Sequence, residues 1–244
     1  MKLLKLAILS LFFAVIVAGC NTEQHNNDEV ESSKLQKANG DYTLEEILMG
    51  MRTWDTMRTV SKDQLLPLLG SVNSFNLDVS KFPHGIALNA YACILDGQLK
   101  FAVISEKYDN IQYKDSLRNY LYVVSTSYTD IQALTEKTYE SYTFSLPTQY
   151  IEAADALSRI QNWNSDYAAW VANTSIIYQG FNIPTYGLQQ QSYKVYLGLK
   201  SSESNSIVKV ADLVLDNTNG MFYDTIALYP PFRDRTKHFI LDLL

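Results

Sequence analysis

The sequence predicts an α+β fold with antiparallel sheet and two main helices. Two long segments carry apolar residues at helical spacing, and each is followed by shorter apolar runs typical of strands. Helix followed by strands, twice over, indicates α+β rather than a parallel α/β sheet. The same order raises the hypothesis of two related halves, residues 42–144 and 145–244, although no residue-level repeat supports it.

The first long helix is predicted for residues 44–59. Thr43 followed three positions later by Glu46 is a capping box, and Tyr42 and Ile47 stand at the two positions of a hydrophobic staple. An N-terminus marked in two ways, followed by helical periodicity, makes this the best-defined helix of the chain.

The clearest strand signal is a hairpin formed by residues 86–95 and 98–105. Asp96-Gly97 between the two apolar runs favours a type I′ turn. This turn sets the register, and both faces carry apolar residues, so the hairpin should be central and covered on both sides. The predicted pairs are Ile94 with Leu99, Ala92 with Phe101 and Ala90 with Val103 on one face, and Cys93 with Lys100 and Tyr91 with Ala102 on the other. Cys93 opposite Lys100 could be a thiolate if exposed, but a cysteine in a central strand is more often a small apolar residue.

The second long helix is predicted for residues 147–163, with Asn164-Ser165-Asp166 interrupting it before a further short segment. The other strands are expected at 120–125, 175–178, 193–199, 207–215 and 222–229.

Residues 1–20 are organised like a secretory signal peptide. Lys2 and Lys5 form a basic start, and residues 6–18 are apolar except for one serine. This run is shorter than the roughly 20 residues that span a bilayer. Its end, Val17-Ala18-Gly19-Cys20, resembles the lipobox of bacterial lipoproteins. The resemblance implies a diacylglyceryl group on Cys20 and cleavage by a signal peptidase between Gly19 and Cys20.

The expected consequence is a lipid anchor in the cell envelope. Each buried CH₂ contributes about 0.8 kcal/mol, so two or three acyl chains such as palmitate hold a protein to a membrane. Residues 1–19 are then the signal peptide, 20–41 a disordered tether with a reach of roughly 25 Å, and 42–244 the folded domain. In the enterobacterial pattern Asp after the cysteine retains a lipoprotein in the inner membrane; Asn21 departs from this and favours the outer membrane if the cell is Gram-negative.

Composition argues against nucleic acid as a partner. Lys and Arg number 20 against 26 Asp and Glu, and loss of residues 1–19 would remove two further lysines. Phosphate binding needs clustered basic residues. With Cys20 lipidated, Cys93 is the only cysteine left, so neither an internal disulfide nor a cysteine metal site is expected. No cofactor is predicted.

Few residues have the pattern of a catalytic site. No G-x-S-x-G elbow, H-E-x-x-H motif or Gly-rich phosphate loop occurs. The strongest candidates are Asp212 and Asp224, which face each other if a hairpin closes symmetrically around residues 216–220. Two opposed carboxylates among apolar residues need a metal ion, a lysine or arginine, or a shared proton. A register different by one residue would separate them. His84 is a weaker candidate, since Asp78 or Ser80 nearby reads more simply as a turn cap.

Aromatic and basic residues supply the candidate binding surfaces. The pairs Tyr120 with Tyr122 and Tyr193 with Tyr196 could form a surface patch, although tyrosines in strands more often fill the core. Arg233 and Arg235 lie in a locally basic stretch that could meet an acidic partner or phosphate, or pair with nearby carboxylates.

The expected function is therefore non-enzymatic. A lipid-anchored envelope protein would bind a protein or glycan partner, or support an envelope assembly. One alternative is a hydrolase or metal-dependent enzyme built on Asp212 and Asp224 or on His84. Another is an immunity or inhibitor lipoprotein, which the acidity permits.

Overall fold

The α+β class with an antiparallel sheet is confirmed. The computed structural model describes residues 42–136, 150–202, 205, 207–224, 227–229 and 238–244. Its helices are α1 Leu44–Val60, α2 Leu65–Gly70, α3 Gln132–Thr135 and α4 Ala153–Asn173, with 3-10 segments at Lys62–Gln64, Val79–Lys81, Ile111–Tyr120 and Phe239–Leu243. Its strands are β1 Ser74–Asp78, β2 Leu88–Leu95, β3 Gln98–Ser105, β4 Tyr122–Ser127, β5 Tyr150–Ile151, β6 Gly180–Ile183, β7 Ser192–Ser201, β8 Lys209–Asp216, β9 Phe222–Tyr223 and β10 Ala227–Tyr229. Among the described residues no helix is long and apolar enough to cross a bilayer.

Helix α1 begins with the predicted capping box. Glu46 N donates to Thr43 Oγ1 over 3.2 Å, and Thr43 N donates to Glu46 Oε2 over 2.6 Å. The two bonds satisfy amide groups that the first helical turn leaves without carbonyl partners. The buried side of α1 carries Ile47, Met51 and Trp54.

Helix α4 differs from its prediction. Asn164 and Ser165 do not interrupt it, and the helix runs without a break to Asn173. The side chain of Asn164 donates to the carbonyl of Ile160 over 3.2 Å and that of Ser165 to Gln161 over 3.0 Å, so both polar side chains are accommodated within the helix. The buried Trp170 continues the apolar side beyond them and ties the second half of the helix to the core. The start of the predicted helix is also wrong, because Tyr150 and Ile151 form β5 and the helix begins at Ala153. Predicted residues 147–149 lie outside the described residues.

The predicted hairpin of β2 and β3 is confirmed in its turn and in every predicted pair. Asp96 and Gly97 have φ angles of 53° and 71°, the positive values that a type I′ turn requires. One face of the hairpin packs into the largest core cluster and the other packs beneath α1.

Three strands, β1, β5 and β6, escaped prediction, and one predicted strand is absent. The strand expected at 222–229 is instead two strands, β9 and β10, which lie near opposite ends of the sheet. The central strand β1 pairs with both β4 and β7, and β6 begins at Gly180, after the strand expected at 175–178. That stretch is not a strand because its polar groups are engaged elsewhere. Thr174 Oγ1 contacts both backbone groups of Ile176, and Trp54 Nε1 donates to Tyr178 O over 2.8 Å.

The sheet is strongly curled. Its strand order is β10-β6-β2-β3-β4-β1-β7-β8-β9-β5, and every ladder is antiparallel. Strand β9 ends at Tyr223 near one end of this order, and β10 begins at Ala227 at the other. Four residue steps span at most about 14 Å. The two ends of the sheet must therefore approach each other.

Three clusters of buried apolar side chains stabilise this arrangement. The largest takes side chains from strands at both ends of the order, including Phe181 of β6 and Tyr223 of β9, so it fills the inside of the curl. The second lies between α1, β2, β3 and the C-terminal residues Ile240 and Leu241. The third joins the first half of α4 to the outer face of β7 and β8. The hypothesis of two related halves stays a prediction.

Substitution of Gly50 tests how tightly α1 packs on the hairpin. A Cβ on Gly50 would lie 2.7 Å from the backbone oxygen of Ile94, and a backbone atom cannot rotate away. Alanine favours a helix over glycine by about 1 kcal/mol, but overpacking costs about 1–3 kcal/mol. We therefore expect Gly50→Ala to lower the free energy of unfolding, measured by urea denaturation.

The exposed neighbour supplies the control for this measurement. Met49→Ala should change the free energy of unfolding by no more than about 0.5 kcal/mol. Unchanged or higher stability of Gly50→Ala would mean that α1 can shift away from β2.

Candidate functional site

Asp212 and Asp224 lie on the same face, but in a register that differs from the predicted one. Leu215 pairs with Tyr223 rather than with Met221. The turn is the cause, because Asn217 N donates to Met221 O over 3.1 Å and the Asn217 side chain accepts from Met221 N over 3.0 Å. These bonds keep Met221 in the turn. A shift of two residues preserves the face, so the two carboxylates still converge.

Two cations bridge the carboxylates. Arg159 of α4 donates through Nη1 to Asp212 Oδ2 over 2.8 Å, and the same nitrogen contacts Asp224 Oδ2. Lys200 of β7 places Nζ 3.1 Å from Asp212 Oδ1 and 3.0 Å from Asp224 Oδ1. Asp155, one helical turn before Arg159, accepts from Nη2 over 2.6 Å. These five residues are called the ion cluster below.

Gly198 of β7 gives the ion cluster its geometry. It pairs with Asp212 across the ladder, and a Cβ there would lie 3.3 Å from Cβ of Arg159. The missing side chain lets α4 approach the sheet closely enough for Arg159 to reach both strands. The sequence shows the glycine but not the helix that would need it.

Burial shifts the pKa values in the cluster. Asp212 is 1% exposed, and desolvation together with the nearby charge of Asp224 raises its pKa. Burial alone would also raise the pKa of Asp224, but the hydrogen bond from Arg159 and the charge of Lys200 lower it overall. The pKa values of both cations are raised, since attraction to the carboxylates exceeds their desolvation. Both carboxylates are thus engaged by protein cations.

His84 has no chemical partner in the part of the chain that the structure describes. It is exposed, and its side chain makes no hydrogen bond or ion pair with the described residues. Asp78 caps the preceding turn, accepting from Ser80 N over 3.1 Å and from Ser80 Oγ over 2.5 Å. This is the simpler of the two interpretations of the segment.

Cys93 is a core residue. It is fully buried, and desolvation raises the pKa of its thiol to about 12. Lys100 opposes it in the ladder but directs its ammonium to Asp96 over 2.9 Å and to Tyr42 Oη over 2.5 Å. The thiol is therefore not poised as a nucleophile.

The predicted tyrosine patch is wrong. Tyr122, Tyr193 and Tyr196 are buried, because Tyr122 and Tyr193 point into the curl while Tyr196 packs under α4. Tyr120 is half-buried and stacks on Tyr108 at 3.9 Å between ring centroids. Arg233, Arg235, Gly19 and Cys20 lie outside the described residues.

A buried polar network was not foreseen from the sequence. Asp109 accepts hydrogen bonds from Asn89 Nδ2 over 2.8 Å, from Tyr91 Oη over 2.5 Å and from Ile240 N over 2.8 Å. His238 Nδ1 lies 3.2 Å from the same tyrosine oxygen. The network binds the C-terminal segment to β2. No motif marks it, because Asp109 sits in a polar stretch that resembles an ordinary loop.

A groove lies between the second half of α4 and the start of β8. Its volume is about 490 Å³, within the range of roughly 300–1,000 Å³ that is typical of ligand pockets. Apolar side chains of α4, β7 and the approach to β8 line it together with polar and charged side chains. The lining residues are Asp166, Ala169, Trp170, Asn173, Thr174, Ser175, Leu199, Ile207, Val208 and Lys209. It is called the α4–β8 groove below, and sequence reasoning missed it.

Comparison with known proteins identifies no relative. No family model, curated protein or solved structure matches the chain. Within the described residues, no group of three or more His, Cys, Asp or Glu could hold a metal ion.

Removal of Arg159 should show how much the ion cluster stabilises the fold. In Arg159→Met the buried Asp212 keeps Lys200 as its one counter-ion among the described residues, and breaking a buried ion pair from one side costs about 3–5 kcal/mol. We expect a loss near the lower end, about 3 kcal/mol, in urea unfolding at neutral pH. Acidification should reduce this loss, because the variant's folded state can bind a proton on Asp212 more tightly than its unfolded state.

Asp155→Asn is the matched control for this variant. Asp155 is the exposed member of the cluster, so its loss should cost no more than about 1 kcal/mol. Equal effects of the two substitutions would contradict a buried cluster that depends on Arg159.

The Asp109 network should make stability depend on pH. Burial raises the pKa of Asp109 to about 6 from an ordinary value of 3.8, although its hydrogen bonds oppose the rise. The folded state therefore binds this proton more tightly, and the contribution is present at low pH and is lost as the pH rises from about 4 to about 6. The loss amounts to about 3 kcal/mol.

Two variants test this pH dependence by urea unfolding. Asp109→Asn should remove this dependence. The free energy of unfolding of the parent, relative to that of the variant, should therefore fall by about 3 kcal/mol between low and neutral pH. Tyr91→Phe removes a hydrogen bond that favours the carboxylate, so the decline should extend to higher pH. Parallel stability curves for parent and Asp109→Asn would contradict the raised pKa.

Proposed function

We propose that the chain is a lipid-anchored protein of the bacterial cell envelope with a non-enzymatic binding or assembly role. The anchor is supported by the resemblance of Val17-Ala18-Gly19-Cys20 to a lipobox, and by the short basic and apolar segments before it. The acidic composition is consistent with a protein or glycan partner and speaks against nucleic acid.

The non-enzymatic part of the proposal rests on the contacts that the carboxylates of Asp212 and Asp224 make. A catalytic carboxylate must reach a proton or a reacting atom of the substrate, whereas here both carboxylates contact Arg159 and Lys200. Asp212 is also almost fully enclosed. These contacts favour a structural role for the two carboxylates, in which the ion cluster fastens α4 to the sheet. They fit an acid–base dyad less well. His84 is exposed and has no partner among the residues that the structure describes, so it adds nothing to the enzyme alternative.

The α4–β8 groove supports binding. It is large enough for a ligand or a partner's side chains, and its lining combines apolar side chains with a few polar and charged ones. Such a combination is typical of recognition sites.

Lipidation is tested by metabolic labelling with an alkyne analogue of palmitate and by membrane fractionation. Cys20→Ala should lose the label and leave the membrane fraction, because the thiol is the acylated group. Cys93→Ala, which removes the chain's other cysteine, is the matched control and should keep both. A label that persists on Cys20→Ala would contradict the proposed anchor.

The binding role is tested by in-cell crosslinking of the full chain and mass spectrometry of what co-purifies. A stoichiometric envelope protein that is lost with Cys20→Ala would support an assembly role at the membrane. Absence of any specific partner at every crosslinker length would contradict it.

A further inference from the structure

We propose that the α4–β8 groove is the docking site for an extended peptide segment of a protein partner, which inserts an apolar side chain and carries charged residues on either side of it. This inference rests on the proposed binding function and specifies the site and the chemistry of its partner.

The apolar part of the argument comes from the groove's exposed aliphatic side chains. Ile207 is 88% exposed and Val208 48% exposed, and both line a concavity whose inner wall includes Leu199 and Trp170. Single exposed apolar residues are ordinary, but adjacent ones at the mouth of an apolar concavity mark an interaction site. An apolar side chain inserted there would be removed from water on several sides.

The charged residues of the groove indicate which charges a partner should carry. Asp166 lines it from α4 and Lys209 from β8, and neither side chain forms an ion pair or hydrogen bond with any residue that the structure describes. Lys200, one strand away, is instead held by two carboxylates. Among the described residues these two groove charges are unpaired, and complementarity requires an acidic residue near Lys209 and a basic residue near Asp166.

A peptide fits this site better than a glycan. Sugars are usually held against an open aromatic face, but Trp170 is only 6% exposed because it packs against Trp163 and Tyr178. Its indole Nε1 is buried without an acceptor among the described residues.

The groove also lies away from Tyr42, where the first described segment begins. Tyr42 stands just before α1, whereas Lys62, just after it, donates to Thr174 O at the groove over 2.5 Å. The helix between them has 17 residues, which is about 25 Å at 1.5 Å per residue.

The test uses the lipidated full chain in nanodiscs and a phage-displayed random peptide library, after subtraction on empty nanodiscs. Enriched peptides should share an aliphatic or aromatic residue flanked by an acidic and a basic one. Their affinity should fall about tenfold for Val208→Asp. Lys209→Glu should lower affinity for the enriched peptides and raise it for versions with a basic residue in place of the acidic one. This reversal of charge preference would not follow from a change in folding alone.

Ile111→Asp is the matched control, since Ile111 is 63% exposed and lies in the 3-10 segment before β4. It should leave peptide affinity unchanged. Peptides that bind Val208→Asp and Lys209→Glu as well as the parent would overturn the proposal, as would failure to enrich any peptide. Binding of peptidoglycan fragments instead of peptides, if the same groove substitutions abolish it, would mean that the groove's occupant is a glycan. That result would overturn the peptide proposal. Repetition with soluble Cys20→Ala separates the two proposals, because groove binding should survive loss of the anchor.

Discussion

The short passage from Tyr223 to Ala227 is the constraint on which the rest of the structure depends. It connects strands near the two ends of the sheet, so the sheet curls around a single apolar core. Asp224 is the first residue of this passage, and Arg159 and Lys200 hold its carboxylate. The ion cluster therefore does more than neutralise two acids. It fastens Asp224 to α4 and to β7, at the start of the short connection between strands near the two ends of the sheet.

The outer faces of the sheet are covered in two different ways. Helix α4 crosses β7 at Gly198 and buries a cluster of charges, whereas α1 meets β2 at Gly50 and buries mainly apolar side chains. The C-terminal segment completes the second layer through Asp109, whose buried carboxyl binds Ile240 N. Buried polar groups need partners, and in both clusters most of these partners come from distant parts of the chain.

The charged residues that stabilise the fold differ in their contacts from the two that line the α4–β8 groove. Lys100, Arg159 and Lys200 all contact carboxylates of the same domain. Asp166 and Lys209 do not pair with any described residue, and they flank the apolar wall of the α4–β8 groove. A protein that neutralises its buried charges but leaves two at a concave apolar surface has a site suited to a complementary partner. This contrast connects the fold to the proposed binding role.

The sequence by itself determined the features that depend on neighbouring residues. The capping box of α1 and the hairpin of β2 and β3, including its register and turn, follow from contacts within a few positions or across a tight turn. The shared face of Asp212 and Asp224 followed from the period of a strand, although the register was wrong by two residues because Asn217 binds Met221.

Tertiary structure decided the remainder. The uninterrupted α4, the partners of the two aspartates and the Asp109 network depend on residues far apart, with 53 positions between Arg159 and Asp212 and 131 between Asp109 and Ile240. Local patterns carry no information about such pairs. Burial of Trp170 outweighs the weak helix preference of Asn164 and Ser165, and a groove exists only once α4 and β8 lie side by side.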